Sequence, residues 1–428
     1  MSEPKITICS GGYGETPHDR TKLISWWEQD IVDSSSVLVV GAGAIGNETL
    51  KNLALLGVGK IFICDMDTIS ISNLSRTVLF GADDVGKEKA SLAAERVKQM
   101  SNNKNCKVDY FVGDITTGLG HGVFRRFDIV LGCLDNMLTR VNVNRRCCLL
   151  QKPLLDAGIW ELGLSLSVHH YPYSSCLQCG MDSKDIENER RIRFACDNFK
   201  KRDIHERHAP TTLVSTAIVG ALQVQEAIKA LHVLNKDKLE KDGKNLDISV
   251  QYGRKYYYQG MNHLFEQMAI PSRDTCDVHN SFEEVVESPL SASMRLSDAL
   301  NSLKNLLGYE CIIDTYPESW FVIKTKCVSC HQWIDTNKAR GDLYQEDLYC
   351  EECSKNKLDV SGYTPESDNI DVFGRDDMPT NLMNYTLKEL GIPPLHIITV
   401  RAKCDDSIVK FVELTGDLSE VLPNTFGG

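Results

Sequence analysis

A strand that runs directly into a glycine loop constrains the fold of this chain more than any other feature. Ser36–Val40 (SVLVV) is a mostly apolar, β-branched run, which predicts a buried parallel strand. The next residues, GAGAIG, place glycines at 41, 43 and 46, and residues 47–56 predict an amphipathic helix. Such glycines allow a tight turn and let a phosphate or ribose oxygen approach the helix N-terminus. The pattern predicts a nucleotide-binding fold; alternatively, the glycines only let the helix pack closely on the strand.

Strands and helices alternate in the residues that follow. The predicted elements are two buried strands, at residues 60–64 and 128–133, and two helices, at residues 90–100 and 213–231. This alternation is typical of a doubly wound α/β sheet. We therefore predict a Rossmann-like domain over residues 1–285 and a smaller α+β domain over residues 286–428.

Charge and length narrow the class of protein. A chain of 428 residues is too long for one ordinary core. Its 47 Lys and Arg against 59 Asp and Glu give a net charge of −12, whereas non-specific nucleic-acid binding needs a basic surface. No apolar run approaches the roughly 20 residues of a membrane span, and the first residues lack the apolar core of a signal peptide. We expect a cytoplasmic protein whose partners are neither nucleic acid nor a membrane.

Polar residues at the ends of the predicted strands indicate which nucleotide binds. Asp65 ends the second strand, 19 residues after the third glycine, where a carboxylate can accept hydrogen bonds from ribose hydroxyls. Glycines and Asp65 alone fit NAD as well as ATP. Four further residues are expected at the same edge of the sheet: Asn73, Arg76, Lys89 and Asp135. Cations that neutralise a triphosphate and a carboxylate that holds Mg²⁺ favour ATP over hydride transfer.

One long segment is specific enough to indicate a family. VLVVGAGAIGNETLKNLALLGVGKIFICDMDTISISNLSRTVLF, with GKEKA and LDN after it, resembles the ubiquitin-activating (E1) and ThiF/MoeB adenylyltransferase family, over about residues 18–280. The resemblance implies a Mg-ATP-dependent enzyme that adenylates the C-terminal glycine of a ubiquitin-like or sulfur-carrier protein. It implies these roles: nucleotide lining for Gly41, Gly43 and Gly46, ribose binding for Asp65, phosphate contacts for Asn73, Arg76 and Lys89, and Mg²⁺ coordination for Asp135. Asp67 is expected either to bind directly or to act as a turn and cap residue.

The resemblance also implies a shared arginine. Family members supply an arginine to the partner subunit from ahead of the first strand. Arg20 is the best match, although the sequence around it is shortened. We therefore predict a homodimer that shares this arginine.

Two pairs of cysteines near the C-terminal end have the spacing of a zinc site. Cys327-x-x-Cys330 and Cys350-x-x-Cys353 are separated by 19 residues. Four thiolates at this spacing can close a tetrahedral Zn²⁺ site, and disulfides are rare in a cytosolic chain. We predict a small zinc ribbon over residues 327–353, in which the metal replaces a hydrophobic core.

A second zinc site is predicted from Cys176-x-x-Cys179. The resembled family completes this pair with another Cys-x-x-Cys just after the adenylation domain. This chain offers Cys276 and His279 instead, and Cys₃His is an ordinary zinc set. The alternative is a reduced cysteine pair and a surface histidine, so the prediction of two Zn²⁺ per chain depends on this site.

Some members of the family pass the acyl group to a cysteine of their own. Cys196 fits that role because it lies in the charged residues 180–210, where family members carry a crossover loop. Basic neighbours lower a thiol pKa, and four flank it: Arg191, Arg193, Lys200 and Lys201. Alternatively, Cys196 is inert. The other cysteines carry no motif, and Cys64, Cys133, Cys147 and Cys148 are expected in the core, while His169 and His170 are expected on a strand surface.

The C-terminal region lies outside the strong resemblance. Residues 384–401 loosely resemble the ubiquitin-fold domain with which E1 enzymes recruit an E2-like conjugating enzyme, and a scaffold role is the alternative. The final Gly427-Gly428 is of the kind such enzymes activate, which allows self-modification. Two other functions stay open: a ThiF/MoeB-type sulfur-carrier adenylyltransferase without a thioester, and a zinc-stabilised, non-catalytic binding module.

Overall fold

The computed structural model describes residues 16–181, 210–241, 247–315, 319, 321–343, 345–355 and 366–426. Its largest sheet has eight strands in the order β3-β2-β1-β4-β5-β6-β7-β8. The strands are β1 Ser36–Val40, β2 Lys60–Asp65, β3 Lys107–Val112, β4 Ile129–Gly132, β5 Leu154–Trp160, β6 Gly163–His169, β7 Arg254–Gln259 and β8 Leu264–Ala269. Strands β1 to β5 pair in parallel, and β5 to β8 pair antiparallel.

The helices of this part cover both faces of the sheet. They are α1 Gln29–Ser34, α2 Ala44–Leu56, α3 Lys89–Met100, α4 Ile115–Gly118, α5 His121–Arg126, α6 Met137–Leu149, α7 Leu213–Leu234 and α8 Lys236–Lys241. Alternate residues of β1 enter different cores: Val37 and Val39 pack with α1, α2, α3 and α7, whereas Leu38 packs with α4, α5 and α6. A strand buried on both faces is continuously apolar, as the sequence predicts for β1.

The register of the central strands positions the site. Val40 pairs with Cys64 of β2 and with Gly132 of β4, so these three strands end at the same level. The loops that follow them therefore meet at one edge of the sheet, where ligands bind in open α/β folds. The predicted α/β class is confirmed by this sheet.

A second, mixed sheet lies in the C-terminal part, with strand order β14-β10-β15-β16-β9. Together with a three-stranded sheet, β12-β11-β13, it contains β9 Val285–Ser288, β10 Cys311–Asp314, β11 Phe321–Lys326, β12 Trp333–Ala339, β13 Ser367–Ile370, β14 Val372–Phe373, β15 Ile397–Ala402 and β16 Asp405–Leu414. Helices α9 Leu296–Leu307 and α10 Leu418–Val421 accompany it. Leu296, Leu303 and Val400 belong to a separate hydrophobic core. The domain boundary at residue 285 and the recruiting role of this region stay predictions.

One apolar helix and two groups of buried side chains bear on what the sequence predicts. Helix α7 is long and apolar enough, by length and composition, to cross a membrane; it is the one such helix in the described part of the chain, and 56% of its apolar window is buried against the rest of the protein. The surface position expected for His169 and His170 is wrong, because both side chains are buried at the end of β6. The four cysteines expected in the core are buried, as predicted: Cys64, Cys133, Cys147 and Cys148.

Candidate nucleotide site and metal centres

The three glycines after β1 meet different surroundings. Gly41 has φ +99°, and a Cβ there would lie 2.5 Å from the carbonyl oxygen of Cys133. A Cβ on Gly46 would lie 2.0 Å from the carbonyl oxygen of Gly41, so both positions require glycine. A Cβ on Gly43 would meet no protein atom within 4 Å. Gly43 is the N-cap of this 13-residue helix and makes no side-chain hydrogen bond to its first N–H groups.

A buried asparagine that the sequence reasoning did not select fixes this loop. The Asn47 Nδ2 atom donates to the carbonyl oxygens of Ala42 (2.8 Å) and Gly43 (3.0 Å). Its Oδ1 accepts from the Leu79 N–H at 2.9 Å. Asn47 therefore ties the glycine loop to the segment that follows β2. Its position in the first turn of the predicted helix was the only signal in the sequence.

Asp65 lies at the end of β2, directly beside the loop. One carboxylate oxygen accepts from the Ala42 N–H at 2.6 Å, and the other accepts from the Asp67 N–H at 2.8 Å. Burial raises the pKa of Asp65, and the nearby charge of Lys89 opposes that shift. The carboxylate is thus oriented against the open end of α2, as binding a ribose requires.

Lys89, the first residue of α3, lies at the same place. Its Nζ donates to the Asp67 carboxylate at 2.8 Å; the lysine side chain is 10% exposed and the Asp67 side chain 50%. Burial opposes the lysine charge, but Asp65 and Asp67 outweigh it and raise the pKa of Lys89, with a smaller contribution from Asp135. These charges therefore converge at one edge of the sheet. Asp67 is an ion-pair partner rather than only a turn residue.

Asp135 is exposed in the turn after β4, and Arg140 fixes this turn. The Arg140 guanidinium donates to the carbonyl oxygens of Leu134 and Ala157 (2.9 Å for the latter) and pairs with Asp156. Burial raises the pKa of Asp156, and the Arg140 charge opposes the rise. The sequence reasoning missed Arg140, which lies in the first turn of α6, five residues after Asp135.

Asn73 and Arg76 lie in the segment between β2 and α3, and both side chains make hydrogen bonds within that segment. Asn73 Oδ1 accepts from the Ser70 N–H at 3.0 Å, and Arg76 Nη1 donates to the Ser72 carbonyl oxygen at 2.8 Å. Backbone bonds between Ile69 and residues 86–87, both 2.8 Å, hold this turn near α3. The structure therefore places both residues next to the site without joining them to Lys89.

Arg20 lies at the other end of α2. A Cβ on Gly57, the C-terminal cap of α2, would be 3.1 Å from His18, two residues before Arg20. Helix α2 is about 20 Å long at 1.5 Å per residue. Arg20 therefore does not reach the glycine loop of its own chain, and its predicted role in a partner's site stays a prediction.

The metal set predicted from Cys176 and Cys179 comes together with Cys276 and His279, although the two halves are about 100 residues apart. The ligand atoms of Cys176, Cys179, Cys276 and His279 all lie within 4.8 Å of one another. Cys176 Sγ is 3.7 Å from the Sγ atoms of Cys179 and Cys276, and Cys179 Sγ is 3.2 Å from His279 Nε2. A tetrahedral site with Zn–S bonds near 2.3 Å has S···S edges of about 3.8 Å. The residues fit a zinc ion, and Tyr171 stacks on His279 with ring centroids 4.6 Å apart.

The second set also converges. Cys327, Cys330, Cys350 and Cys353 have their sulfur atoms within 4.8 Å of one another, and the Cys330 and Cys350 sulfurs are 3.7 Å apart. Four cysteine sulfur atoms at this separation can close a tetrahedral Zn²⁺ site, so this group also fits zinc.

Cys196 and its basic neighbours lie outside the described residues, as do residues 182–209 of the predicted crossover loop. Their placement and role stay predictions.

The chain belongs to the ThiF family, whose family model matches residues 19–278, that is 260 of the 428 residues. It is similar to SUMO-activating enzyme subunit 2 of Dictyostelium discoideum, with 38% identity over 151 residues that cover 35% of this chain and 22% of that protein. It is also similar to the sulfur carrier protein adenylyltransferase of Thermus thermophilus, with 29% identity over 234 residues, 51% of this chain and 81% of that protein. The chain thus spans only about a fifth of the first relative.

A solved structure of Escherichia coli MccB with ATP is similar at 21% identity and a TM-score of 0.47, and the match covers 63% of this chain and 76% of that one. The predicted resemblance to the E1-like ThiF/MoeB family is confirmed by the family match.

Proposed function

We propose that this protein is a Mg-ATP-dependent adenylyltransferase that activates the C-terminal glycine of a ubiquitin-like or sulfur-carrier protein. One observation carries the proposal: a glycine loop and helix N-terminus with open space in front of Gly43 lie beside an oriented carboxylate, Asp65. Lys89 is held at the same edge and lies in the field of Asp135. Family membership supports the same reaction class.

Residues at the ends of the strands and in the segments that follow them each bind a different part of ATP. Asp65 accepts hydrogen bonds from the ribose, and the free N–H groups of α2 face the phosphates. Lys89 exchanges its bond to Asp67 for a phosphate oxygen, while Asn73 and Arg76 approach from the turn after β2. Asp135 would hold Mg²⁺, which would supply positive charge to the phosphates. Asn47 and Arg140 position these groups through the backbone contacts described above.

The reaction is a transfer of AMP to the carrier protein. A carboxylate oxygen of its C-terminal glycine attacks the α-phosphorus, and the bond from that phosphorus to the bridging oxygen of pyrophosphate breaks. The products are an acyl-adenylate and pyrophosphate. The cationic groups stabilise the negative charge that develops on the phosphates, and the fixed loop holds the reactants in line.

A second step and several partners are part of the proposal. Cys196 attacks the acyl carbonyl, AMP leaves, and a thioester forms; an E2-like protein then accepts the acyl group. We also propose that the protein is a cytoplasmic homodimer in which Arg20 serves the partner's site. Each chain would bind two Zn²⁺.

A second candidate function is adenylation for sulfur transfer without a thioester, which the sulfur carrier protein adenylyltransferase among the relatives favours. A non-catalytic zinc module fits less well, because the sequence contains all the residues assigned to ATP and Mg²⁺: Asp65, Asn73, Arg76, Lys89 and Asp135.

ATP–pyrophosphate exchange with candidate carrier proteins tests the first step. Asp135→Ala is expected to lower the exchange rate at least 100-fold, because the Mg²⁺ ligand is lost. Asp83→Ala, an exposed carboxylate in the turn before α3, is the matched control and leaves exchange unchanged. Exchange that survives Asp135→Ala contradicts the assignment of Mg²⁺.

A non-reducing gel separates the two candidate functions. A carrier adduct that dithiothreitol removes, and that Cys196→Ala abolishes while exchange continues, supports the thioester. Exchange without any adduct in the wild-type protein supports sulfur-carrier adenylation.

A further inference from the structure

A buried glutamine of α7 makes four hydrogen bonds at the strand ends that carry the candidate nucleotide site. Gln223 is 0% exposed. Its Nε2 atom donates to the carbonyl oxygens of Gly132 and Leu155, at 3.0 Å and 2.8 Å. Its Oε1 atom accepts from the Thr49 hydroxyl at 2.8 Å and from the Cys133 thiol at 3.3 Å. The amide thus uses both of its donors and both lone pairs of its oxygen.

The partners fix which end of this amide faces the strands. In the reversed orientation the amide oxygen would lie against two carbonyl oxygens, which cannot donate a hydrogen bond. A glycine one turn earlier brings the helix close enough for these contacts. A Cβ on Gly220 would lie 2.7 Å from the Cβ of Glu48, so α7 packs directly on α2 at this point.

The three elements that Gln223 joins carry different parts of the candidate site. Helix α2, which contributes Thr49, begins at the glycine loop. Strand β4 ends three residues before Asp135. Strand β5 continues from Leu155 into Asp156, the carboxylate that pairs with Arg140. One side chain therefore ties the glycine loop, the turn after β4 and the support of that turn together.

Cys133 is the residue through which the turn after β4 contacts the glycine loop. Its N–H donates to the Val40 carbonyl oxygen at 2.8 Å, and its own carbonyl oxygen leaves no room for a Cβ on Gly41. Gln223 accepts from the thiol of this residue, and Arg140 donates to the carbonyl oxygen of the next one. The turn is therefore held at two successive residues, from α7 and from α6.

We propose that Gln223 is a positioning residue of the nucleotide site, whose amide sets the distance between the glycine loop and the turn after β4. Because its side chain is fully buried, Gln223 acts through the backbone of these elements and does not touch the ligands. The inference rests on the proposed function, in which the phosphates lie at the loop and Mg²⁺ at Asp135. Loss of the amide then weakens the Mg²⁺-dependent part of ATP binding, while Asp65 still binds the ribose from β2.

Gln223→Met tests this with a side chain of similar length that lacks the amide. Calorimetric titration with AMP and with Mg·ATP separates the two ends of the nucleotide. We expect AMP affinity within about two-fold of the wild type and a loss of about 10-fold or more for Mg·ATP, because two carbonyl groups lose their donor. Gln225→Met, at an exposed position of the same helix, is the matched control and leaves both affinities unchanged.

Gln223→Glu distinguishes the hydrogen bonds from simple packing, because it keeps the size of the side chain. The new carboxylate would face two carbonyl oxygens, and burial raises the pKa of such a group; once protonated, it can donate to one of them. Relative to the wild type at the same pH, Mg·ATP affinity is therefore expected to fall at about pH 8 and to recover in part at about pH 5.5. Gln223→Met shows no such recovery.

Two results overturn the inference. One is equal affinity for Mg·ATP in Gln223→Met and the wild type; the other is an equal loss for AMP and Mg·ATP, which indicates a general loss of structure. If Gln223→Met does not fold, Thr49→Val removes one of the four hydrogen bonds and gives the same comparison with a smaller loss. A wild-type protein that binds no Mg·ATP would instead contradict the proposed function itself, so the two failures are distinguishable.

Discussion

At the scale of single residues, Gly43 and Gly46 belong to one loop but carry different constraints. Gly43→Ala adds a methyl group that meets no protein atom within 4 Å, whereas in Gly46→Ala it would lie 2.0 Å from the carbonyl oxygen of Gly41. We expect Gly43→Ala to keep its melting temperature within about 2 °C but to lose at least 10-fold in ATP affinity, about 1.4 kcal/mol, because the methyl group occupies ligand space. Calorimetric titration with ATP measures this.

The matched variant Gly46→Ala is expected to lower the stability itself, because the clash lies inside the protein. Equal ATP affinity in Gly43→Ala and the wild type would show that the nucleotide does not lie in front of the loop.

His169 makes stability depend on pH. Burial lowers its pKa to about 4, with the charge of Lys255 adding to the effect and the Ser175 carbonyl opposing it. The unfolded chain binds a proton near pH 6.5 and the folded protein does not, so stability is lost as pH falls from 6.5 to 4. The loss amounts to roughly 3 kcal/mol, from 1.36 kcal/mol per pKa unit.

Urea denaturation at a series of pH values measures this dependence. His169→Asn is expected to flatten the curve between pH 6.5 and 4, whereas His263→Asn, at an exposed turn, keeps the wild-type slope. An unchanged slope in His169→Asn would assign the acid sensitivity to other groups.

At the scale of elements, each cysteine cluster brings together two segments of the chain, around Cys176 and Cys276 in one cluster and around Cys327 and Cys350 in the other. We expect two zinc ions per chain by metal analysis. His279→Ala and Cys350→Ser are each expected to lower the content to about one, because a tetrahedral structural site needs its fourth ligand. Cys404→Ser, at an exposed cysteine outside both clusters, keeps two.

Protease sensitivity assigns each loss to its own segment. The ribbon around Cys350 is expected to become sensitive without its metal, since metal binding contributes the folding energy of such small units. A wild-type content of one zinc would contradict two independent sites.

The elements that sequence predicts best are those whose pattern has a single physical cause. Strand β1 is apolar throughout because both its faces are buried, and the glycines at 41 and 46 are required by close backbone contacts. Asn47 and Arg140 were missed because they act on carbonyl groups that only the folded chain brings near. The ion pair of Lys89 with Asp67 was missed for the same reason, since 22 residues separate the partners.

At the scale of the whole molecule, the end of the chain returns to the large sheet. Asp109 of β3 accepts hydrogen bonds from the backbone N–H groups of Asn424 and Thr425, at 3.1 Å and 2.7 Å, and from both their side chains. Phe426 packs edge-on against Phe127, with its ring 4.2 Å from Lys60 Nζ. Lys60 begins β2, whereas Asp65 ends it at the nucleotide site.

This position bears on self-modification by the terminal Gly427-Gly428, which lie outside the described residues. Strand β2 separates the two edges by about 17 Å, at 3.3 Å per residue. Phe426 therefore lies near the opposite end of β2 from Asp65, and self-modification by Gly427-Gly428 stays a prediction.

Asp109→Ala tests whether the tail holds the C-terminal sheet in place. The variant leaves the N–H groups of residues 424 and 425 and the Thr425 hydroxyl without their acceptor; Thr425 is buried, and each buried unsatisfied group costs about 1–3 kcal/mol. We expect a fall in the free energy of unfolding of about 3 kcal/mol and rapid trypsin cleavage near Lys410, detected by mass spectrometry. Asp83→Ala, at an exposed carboxylate in the turn before α3, is the control. Because the tail lies at the opposite edge from Asp65 and Lys89, pyrophosphate exchange at a temperature where Asp109→Ala stays folded should match the wild type. A loss of exchange there would instead show that the C-terminal sheet shapes the nucleotide site.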